Sequence, residues 1–332
     1  MIPRLRSLFD PFIIALLCTV VLASLLPARG QWAGVAEGAA DAGIVLLFFL
    51  HGAKLSREAI WQGARNWRVQ IATLLVTFGV FPLLGLGFSA LPLLSAPLAA
   101  GLLFLTLLPS TVQSSIAFTA IARGNVAAAV CAASFSNLVG IFLTPLLVAL
   151  LMGATTGGIS LASVEAIVLQ LLLPFIIGHL LRPWIGGFVT RHKSILSLVD
   201  RGSILLVVYS AFGAAVVEGI WHRVSVDDLL LLTLICLLLL GLVLGLTAAL
   251  GRVLNLPRGD AAVLLFCGSK KSLASGVPMA GVLFPAAQVG MVLLPVMLFH
   301  QLQLIACALI AGRMGRRALA AEGLEPGPHI RQ

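Results

Sequence analysis

Two adjacent lysines, Lys270 and Lys271, stand inside LLFCGSKKSLASG (264–276), a stretch flanked on both sides by apolar residues. An ammonium at the centre of a membrane helix costs about 2.5–3.5 kcal/mol, so two cost roughly 5–7 kcal/mol unless relieved. They occupy the middle of an apolar run over 259–283. About 15 Å of hydrocarbon on either side exceeds the roughly 6 Å that a lysine stem can snorkel. Asp41, Glu165 and Glu218 fall toward the outer ends of their own runs, so no carboxylate is at hand. That leaves water or the carbonyl-rich C-terminus of a broken helix, which carries about half a negative charge. Consecutive helical residues point about 100° apart, so one ammonium should face such a break. Lys270 is the one assigned to it.

The rest of the chain supports a bilayer setting. Of 332 residues, 60% are hydrophobic and 10% charged, against roughly 25% charged in a soluble domain. Apolar runs near the ~20 residues needed to cross a bilayer fall at 9–26, 36–54, 69–91, 96–121, 126–152, 163–184, 195–220, 228–250, 259–283 and 287–311. An even number of spans puts both termini on one side, and 17 of the 21 Lys and Arg residues lie there. Only Arg29 and Arg223 lie opposite. Positive-inside bias therefore predicts cytoplasmic termini in a multi-pass protein of the plasma membrane, read as a bacterial inner membrane. The net charge of +9 records topology, and no nucleic-acid partner is expected. Arg4 and Arg6 ahead of PFIIALLCTVVLASLLPARG also resemble a signal peptide, but its removal would spoil the charge count. The five cysteines, Cys18, Cys131, Cys236, Cys267 and Cys307, are scattered singly and read as small hydrophobes, with no metal site or disulfide frame.

The elements that must position the lysines follow from the spacing of the runs. Ten spans divide into two sets of five, 1–153 and 154–312, with a cytoplasmic tail over 313–332. An odd number per half makes the second half inverted, the plan of many secondary transporters, whose sites lie where helices break at mid-membrane. The fourth and ninth runs, LLPSTVQSSIAFTAIARG (107–124) and LLFCGSKKSLASGVPMAG (264–281), are the polar, Pro- or Gly-punctuated ones. A gapless alignment sets Ser115-Ile116-Ala117 on Ser272-Leu273-Ala274. Pro109 removes an amide donor and Gly268 permits conformations other residues avoid, so these two are the expected break residues. Around them cluster Ser110, Thr111, Gln113, Ser114 and Ser115 in one half and Ser269 and Ser272 beside the lysines in the other. Serines and threonines in membrane helices often only bond back to their own backbone. Such a concentration in two matched segments argues for a lined cavity instead.

Residues 107–147, with ARGN at 122–125 and LTPLL at 143–147, resemble the fourth and fifth helices of the bile acid:sodium symporter family. The stretch GSKKSLASGVP is similar to its SBF-like branch, and the resemblance runs over approximately residues 9–311. It implies an all-α fold of ten transmembrane helices in two inverted five-helix repeats. Helices four and nine would unwind and cross at mid-membrane, against a four-helix panel. Two half-helix N-termini and the ammonium groups point to a secondary transporter of a small organic anion, with substrate contacts expected at Gln113, Ser114, Ser115, Lys271, His300 and Gln301, of which the last two match a His-Asn pair that the family turns to its substrate cavity. Gln303 follows that last pair.

The chain departs from the family at the sodium ligands. The Glu before the ninth-helix break is Phe266, the Gln-Asn after it is Lys270-Lys271, and a Ser-Asn pair becomes Ser115-Ile116. Two fifth-helix hydroxyls become Ala129 and Ala133, and a third-helix Gln corresponds to Thr77. The residues left for a cation or coupling site are Lys270, Ser272, Thr77, Ser134 and Asn137. A fixed ammonium thus stands where sodium would sit. No cofactor is expected, sodium coupling is disfavoured, and proton release from Lys270 is the natural alternative. Lys270→Gln would then recover a weak sodium dependence. Two rivals remain: a transporter-like regulator of ion homeostasis, and an intramembrane hydrolase pairing Ser269 or Ser272 with a lysine, which would need an oxyanion site. Substrate identity, transport direction and oligomeric state are not legible.

Overall fold

The computed structural model describes residues 11–54, 66–152, 165–219 and 224–321. The expected join of the halves at 153/154 lies outside them, as do Arg4, Arg6, Arg57, Arg65, Arg223 and Arg331. All regular structure among the described residues is helical. In chain order the helices are α1 (Pro11–Leu25), α2 (Gln31–Lys54), α3 (Trp67–Leu75), α4 (Phe81–Ser89), α5 (Ala96–Leu107), α6 (Gln113–Ile121) and α7 (Val126–Met152). They continue as α8 (Leu173–Arg191), α9 (Lys193–Val217), α10 (Val226–Val253), α11 (Arg258–Gly268), α12 (Leu273–Leu283) and α13 (Ala286–Ala321). Wider π turns join α3 to α4 (Val76–Val80) and lead into α8 (Ile167–Leu172).

Among the described residues, seven helices are long and apolar enough to cross a membrane: Gln31–Lys54, Trp67–Ser89, Val126–Met152, Ile167–Arg191, Lys193–Val217, Val226–Val253 and Ala286–Ala320. The difference from the ten expected runs has a physical cause. The fourth and ninth runs are each split into two short helices, α5/α6 and α11/α12, and α1 has only 15 residues.

Two packed groups emerge. Helix α2 packs on α8 and α9, and α1 on α9. The α2–α8 approach is close because small residues face backbone: a Cβ at Gly52 would strike the carbonyl of Phe175, and one at Gly178 that of Phe49. The other group surrounds the breaks. Helix α5 packs on α4, α7 and α13, while α11 packs on α3, α6, α7 and α10. Helix α10 starts in a capping box, with Ser225 Oγ accepting from Asp228 N at 3.0 Å and Asp228 Oδ2 accepting from Ser225 N at 2.9 Å.

The two breaks meet each other directly. After α5, Leu108 turns to extended backbone (ψ 155°). After α11, Ser269 leaves helical geometry and Ser272 caps α12, accepting from Ser275 N at 3.1 Å. The amide of Ser272 donates to the carbonyl of Pro109 at 2.8 Å, so one break is stitched to the other. Residue 113 opens α6 and residue 273 opens α12, which corrects the gapless alignment by three residues. Ser115 lies on the first turn of α6, whereas Ser272 precedes α12. Side-chain similarity and backbone break are out of step there.

Candidate functional site

The site begins with carbonyls that the chain itself leaves without donors. In the π turn, the amide of Phe81 bonds back to Val76 O, five residues earlier. Pro82 has no N–H, so no downstream amide reaches Thr77 O. At the end of α5, Ser110 N turns to Ser136 Oγ at 3.0 Å, which strips Thr106 O of its donor. Leu108 O belongs to the break itself. Unpaired carbonyls are costly inside a membrane.

Lys271 meets all three. Its Nζ donates to Thr77 O, Thr106 O and Leu108 O, each at 2.7 Å. An ammonium has three donors and no acceptor, and here every donor has a carbonyl. The Phe81 ring lies 4.1 Å from Nζ, a cation–π contact that closes the remaining side. Lys271 is 1% exposed. Its backbone is held as tightly: Gln303 Oε1 accepts from Lys271 N and Gln303 Nε2 donates to Lys271 O, both at 2.9 Å. That pairing orients the Gln303 amide, so Nε2 also donates to His300 Nδ1 at 2.8 Å and fixes the neutral imidazole proton on Nε2.

Lys270 is also buried but makes different contacts. Its Nζ donates to Ser114 Oγ at 3.2 Å and stands 4.2 Å from the Phe118 ring. Neither lysine has a carboxylate partner; the one ion pair among the described residues joins Lys54 to Asp200. The expected assignments are therefore exchanged. Lys271, expected in the substrate cavity, faces the carbonyl end of the broken helix, and Lys270, expected there, points to Ser114. The 100° argument presumes helix, and residues 269–272 are not helical.

Each break returns the other's hydrogen bonds. Ser110 Oγ donates to Cys267 O at 2.5 Å and Ser115 Oγ to Phe266 O at 2.9 Å, satisfying the C-terminal carbonyls of α11. Helix α7 completes the first break: Asn137 Nδ2 donates to Ser110 O and Thr144 Oγ1 to Leu107 O, both at 2.8 Å. Asn137 Oδ1 accepts from Ser275 Oγ at 2.8 Å, which ties α7 to α12 as well.

At the N-termini of α6 and α12 lies a cavity of about 350 Å³. Of the expected residues, Gln113, Ser114, Ser134, Asn137, Ser272 and His300 line it. Ser115 turns away to Phe266, and Gln301, Thr77 and both lysines are not among its walls. Pro109 follows the C-cap of α5, and Gly268 is the last residue of α11. The cavity is also lined by Phe48, Phe175 and Ile204 and by His51, Lys54, Asp200 and Arg201, which sequence reasoning did not single out. Their scatter over α2, α8 and α9 gives no local signal. Gln303 was visible only as a neighbour of His300-Gln301, and the carbonyl cage not at all, although Pro82 marks its Thr77 carbonyl. The hydrolase pairing finds no geometry: Ser269 Oγ donates to Leu265 O, and Ser272 Oγ caps α12.

Long apolar helices around two interrupted ones, with many of the buried polar side chains gathered at the interruptions, describe a multi-pass membrane protein. The chain belongs to the SBF-like CPA transporter family, whose model it matches over residues 10–316. An uncharacterised protein of Pseudomonas aeruginosa is 55% identical over 317 residues, 95% of each chain. A protein of Escherichia coli named "Putative symporter YfeH" is 50% identical over 316 residues, again 95% of each. Sodium/bile acid cotransporter 7 of Danio rerio is 23% identical over 318 residues, covering 92% of this chain and 93% of its own length.

Proposed function

We propose that this chain is a secondary active transporter that carries a small organic anion by alternating access, with the Lys271 ammonium in the place of a coupling sodium ion. The observation that carries the reading is the cage of three carbonyls around Lys271 Nζ at the meeting of the two breaks. Protonation of Lys271 then does what cation binding does elsewhere. The cage closes on an ammonium, and when it opens an unpartnered buried charge is costly, so the proton leaves. Lys270, one hydroxyl from the cavity through Ser114, adds positive potential to the anion site. The N-termini of α6 and α12 add more. His300, Gln113, Ser114, Ser134 and Asn137 supply the polar contacts, and the apolar walls take the body of the solute.

The reading includes ten spans in two inverted repeats, 1–153 and 154–312, in a bacterial inner membrane. Counting α1 and the two broken pairs with the seven long helices supports it, as does the reciprocal service of the breaks by α7 and α13. Both termini are then cytoplasmic and residue 31 is outside. Gln31→Cys should react with an impermeant thiol reagent added to intact cells; reaction only after the cytoplasm is opened would reverse the topology.

A panel of carboxylates and sulfonates, screened by thermal unfolding of the purified protein, tests the site. A ligand at 100 times its Kd stabilises by about 2.7 kcal/mol. His300→Ala and Ser114→Ala are each expected to weaken the stabilising anion at least about tenfold, a loss of roughly 1.4 kcal/mol. Undiminished stabilisation in both variants would remove the cavity from the account.

A further inference from the structure

Among the described residues, five buried side-chain polar atoms lack any hydrogen-bond partner, and three of them are Gln70 Nε2, Thr73 Oγ1 and Thr77 Oγ1. Positions 70, 73 and 77 are spaced three and four apart, so they share one face of α3 and its π turn. The face is buried: Gln70 is 5% exposed, Thr73 1% and Thr77 0%. Threonines elsewhere in this fold behave differently. Thr119, Thr233 and Thr247 each donate to the carbonyl one turn back. Thr73 and Thr77 leave that ordinary bond unmade.

The helices packed against α3 provide no partner. They are α11 and α7, which meet it through Val263, Cys267, Ala128, Ala129 and Ala132 around Val69. Buried polar groups in folded proteins are almost always paired, with water where protein is absent. One end of the face lies beside exposed Arg68. The other ends at Thr77, whose carbonyl accepts from Lys271 Nζ. At 1.5 Å per residue the row is about 10 Å long, the length of a file of a few waters.

We infer that a file of water runs along the Gln70–Thr73–Thr77 face and carries protons between the Arg68 end of α3 and Lys271, apart from the anion cavity. In the inward step each water accepts a proton on its oxygen and passes another on, and the last proton goes to the Nζ lone pair. Release runs in reverse. The threonine hydroxyls can relay, whereas the Gln70 amide only orients a water by donating to it. Titratable groups on the packed elements are Arg258, Asp260 and Cys267 of α11 and Cys131 of α7, with Lys270 and His300 across the cage. Asp260 is held by Asn66 and Asn125 at the Arg68 end. Among the described residues, no carboxylate hydrogen-bonds or pairs with Lys271.

The inference rests on Lys271 as the coupling group, and its test needs neither substrate nor gradient. The chain has four lysines, Lys54, Lys193, Lys270 and Lys271. Lysine-selective 15N labelling therefore resolves the Lys271 ammonium by NMR, identified by its loss in Lys271→Met. Exchange of its protons with water should slow at least tenfold in Thr73→Val and in Thr77→Val, and return to the wild-type rate in Thr73→Ser. The two valine variants lie on adjacent turns, so misfolding of one leaves the other. Equal exchange in wild type and both valine variants would overturn the water file while leaving the transport reading intact. Sodium-dependent uptake would overturn that reading without touching the exchange result.

Discussion

Replacing Lys271 with methionine is expected to abolish uptake of the stabilising anion. Methionine keeps much of the stem's volume but leaves Thr77 O, Thr106 O and Leu108 O facing an apolar group. Pro82 and the diversion of Ser110 N to Ser136 remove the amides that would serve Thr77 O and Thr106 O, and Leu108 O lies in the break itself. Losing a partner for a buried polar group costs about 1–3 kcal/mol. Escape of the ammonium from a low-dielectric site offsets part of that, so a net destabilisation on the order of 3 kcal/mol is expected, below the 5–15 kcal/mol that typically holds a fold. The protein should therefore still fold and fail to transport. Lys271→Ala opens space among the same carbonyls, and such oxygens can hold a monovalent cation; weak sodium-dependent uptake is expected there. Lys270→Met leaves the cage intact, so it should weaken anion binding about tenfold, roughly 1.4 kcal/mol, and keep transport independent of sodium. Vesicle uptake by the three variants checks the set, and full activity of Lys271→Met would contradict it.

Gln303→Leu is expected to produce the next largest effect, on stability. Gln303 is fully buried and pairs with both backbone groups of Lys271, doing for the second break what Ser136, Asn137 and Thr144 do for the first. Leucine leaves one N–H and one C=O unpaired in the protein interior, at about 1–3 kcal/mol each, so a loss on the order of 4 kcal/mol follows. For a chain of this size that corresponds to a Tm lower by roughly 8 °C. His300 loses the donor at Nδ1 in the same change, so anion affinity should fall with stability. An unchanged melting temperature would show that the pairing contributes nothing.

The helical class, most span positions and the two interrupted segments were legible, because long apolar runs have no other stable form in a bilayer and Pro109 and Gly268 punctuate two of them. Burial of both lysines was legible from their depth. Which lysine meets the carbonyls was not, since direction per residue is predictable only inside a helix and residues 269–272 lie outside one. The acceptors were hidden for another reason: they are backbone atoms of Thr77, Thr106 and Leu108, on two other elements, and a backbone carbonyl has no residue type. Pro82 is the one sign that could have exposed the Thr77 carbonyl, and it reads as an ordinary proline until the π turn before it is known. The match of Ser115 to Ser272 failed by three residues because hydroxyls serve either as caps or as cross-break donors, and the alignment could not tell these roles apart.

The central claim is that an ammonium of the chain itself stands in for sodium. It is tested most directly by uptake of the stabilising anion into vesicles of purified protein, with sodium varied against an inert cation at constant pH and membrane potential. Wild-type uptake unchanged across the sodium range, with sodium dependence arising only in Lys271→Ala, is the predicted result. Wild-type uptake that rises steeply with sodium would contradict it.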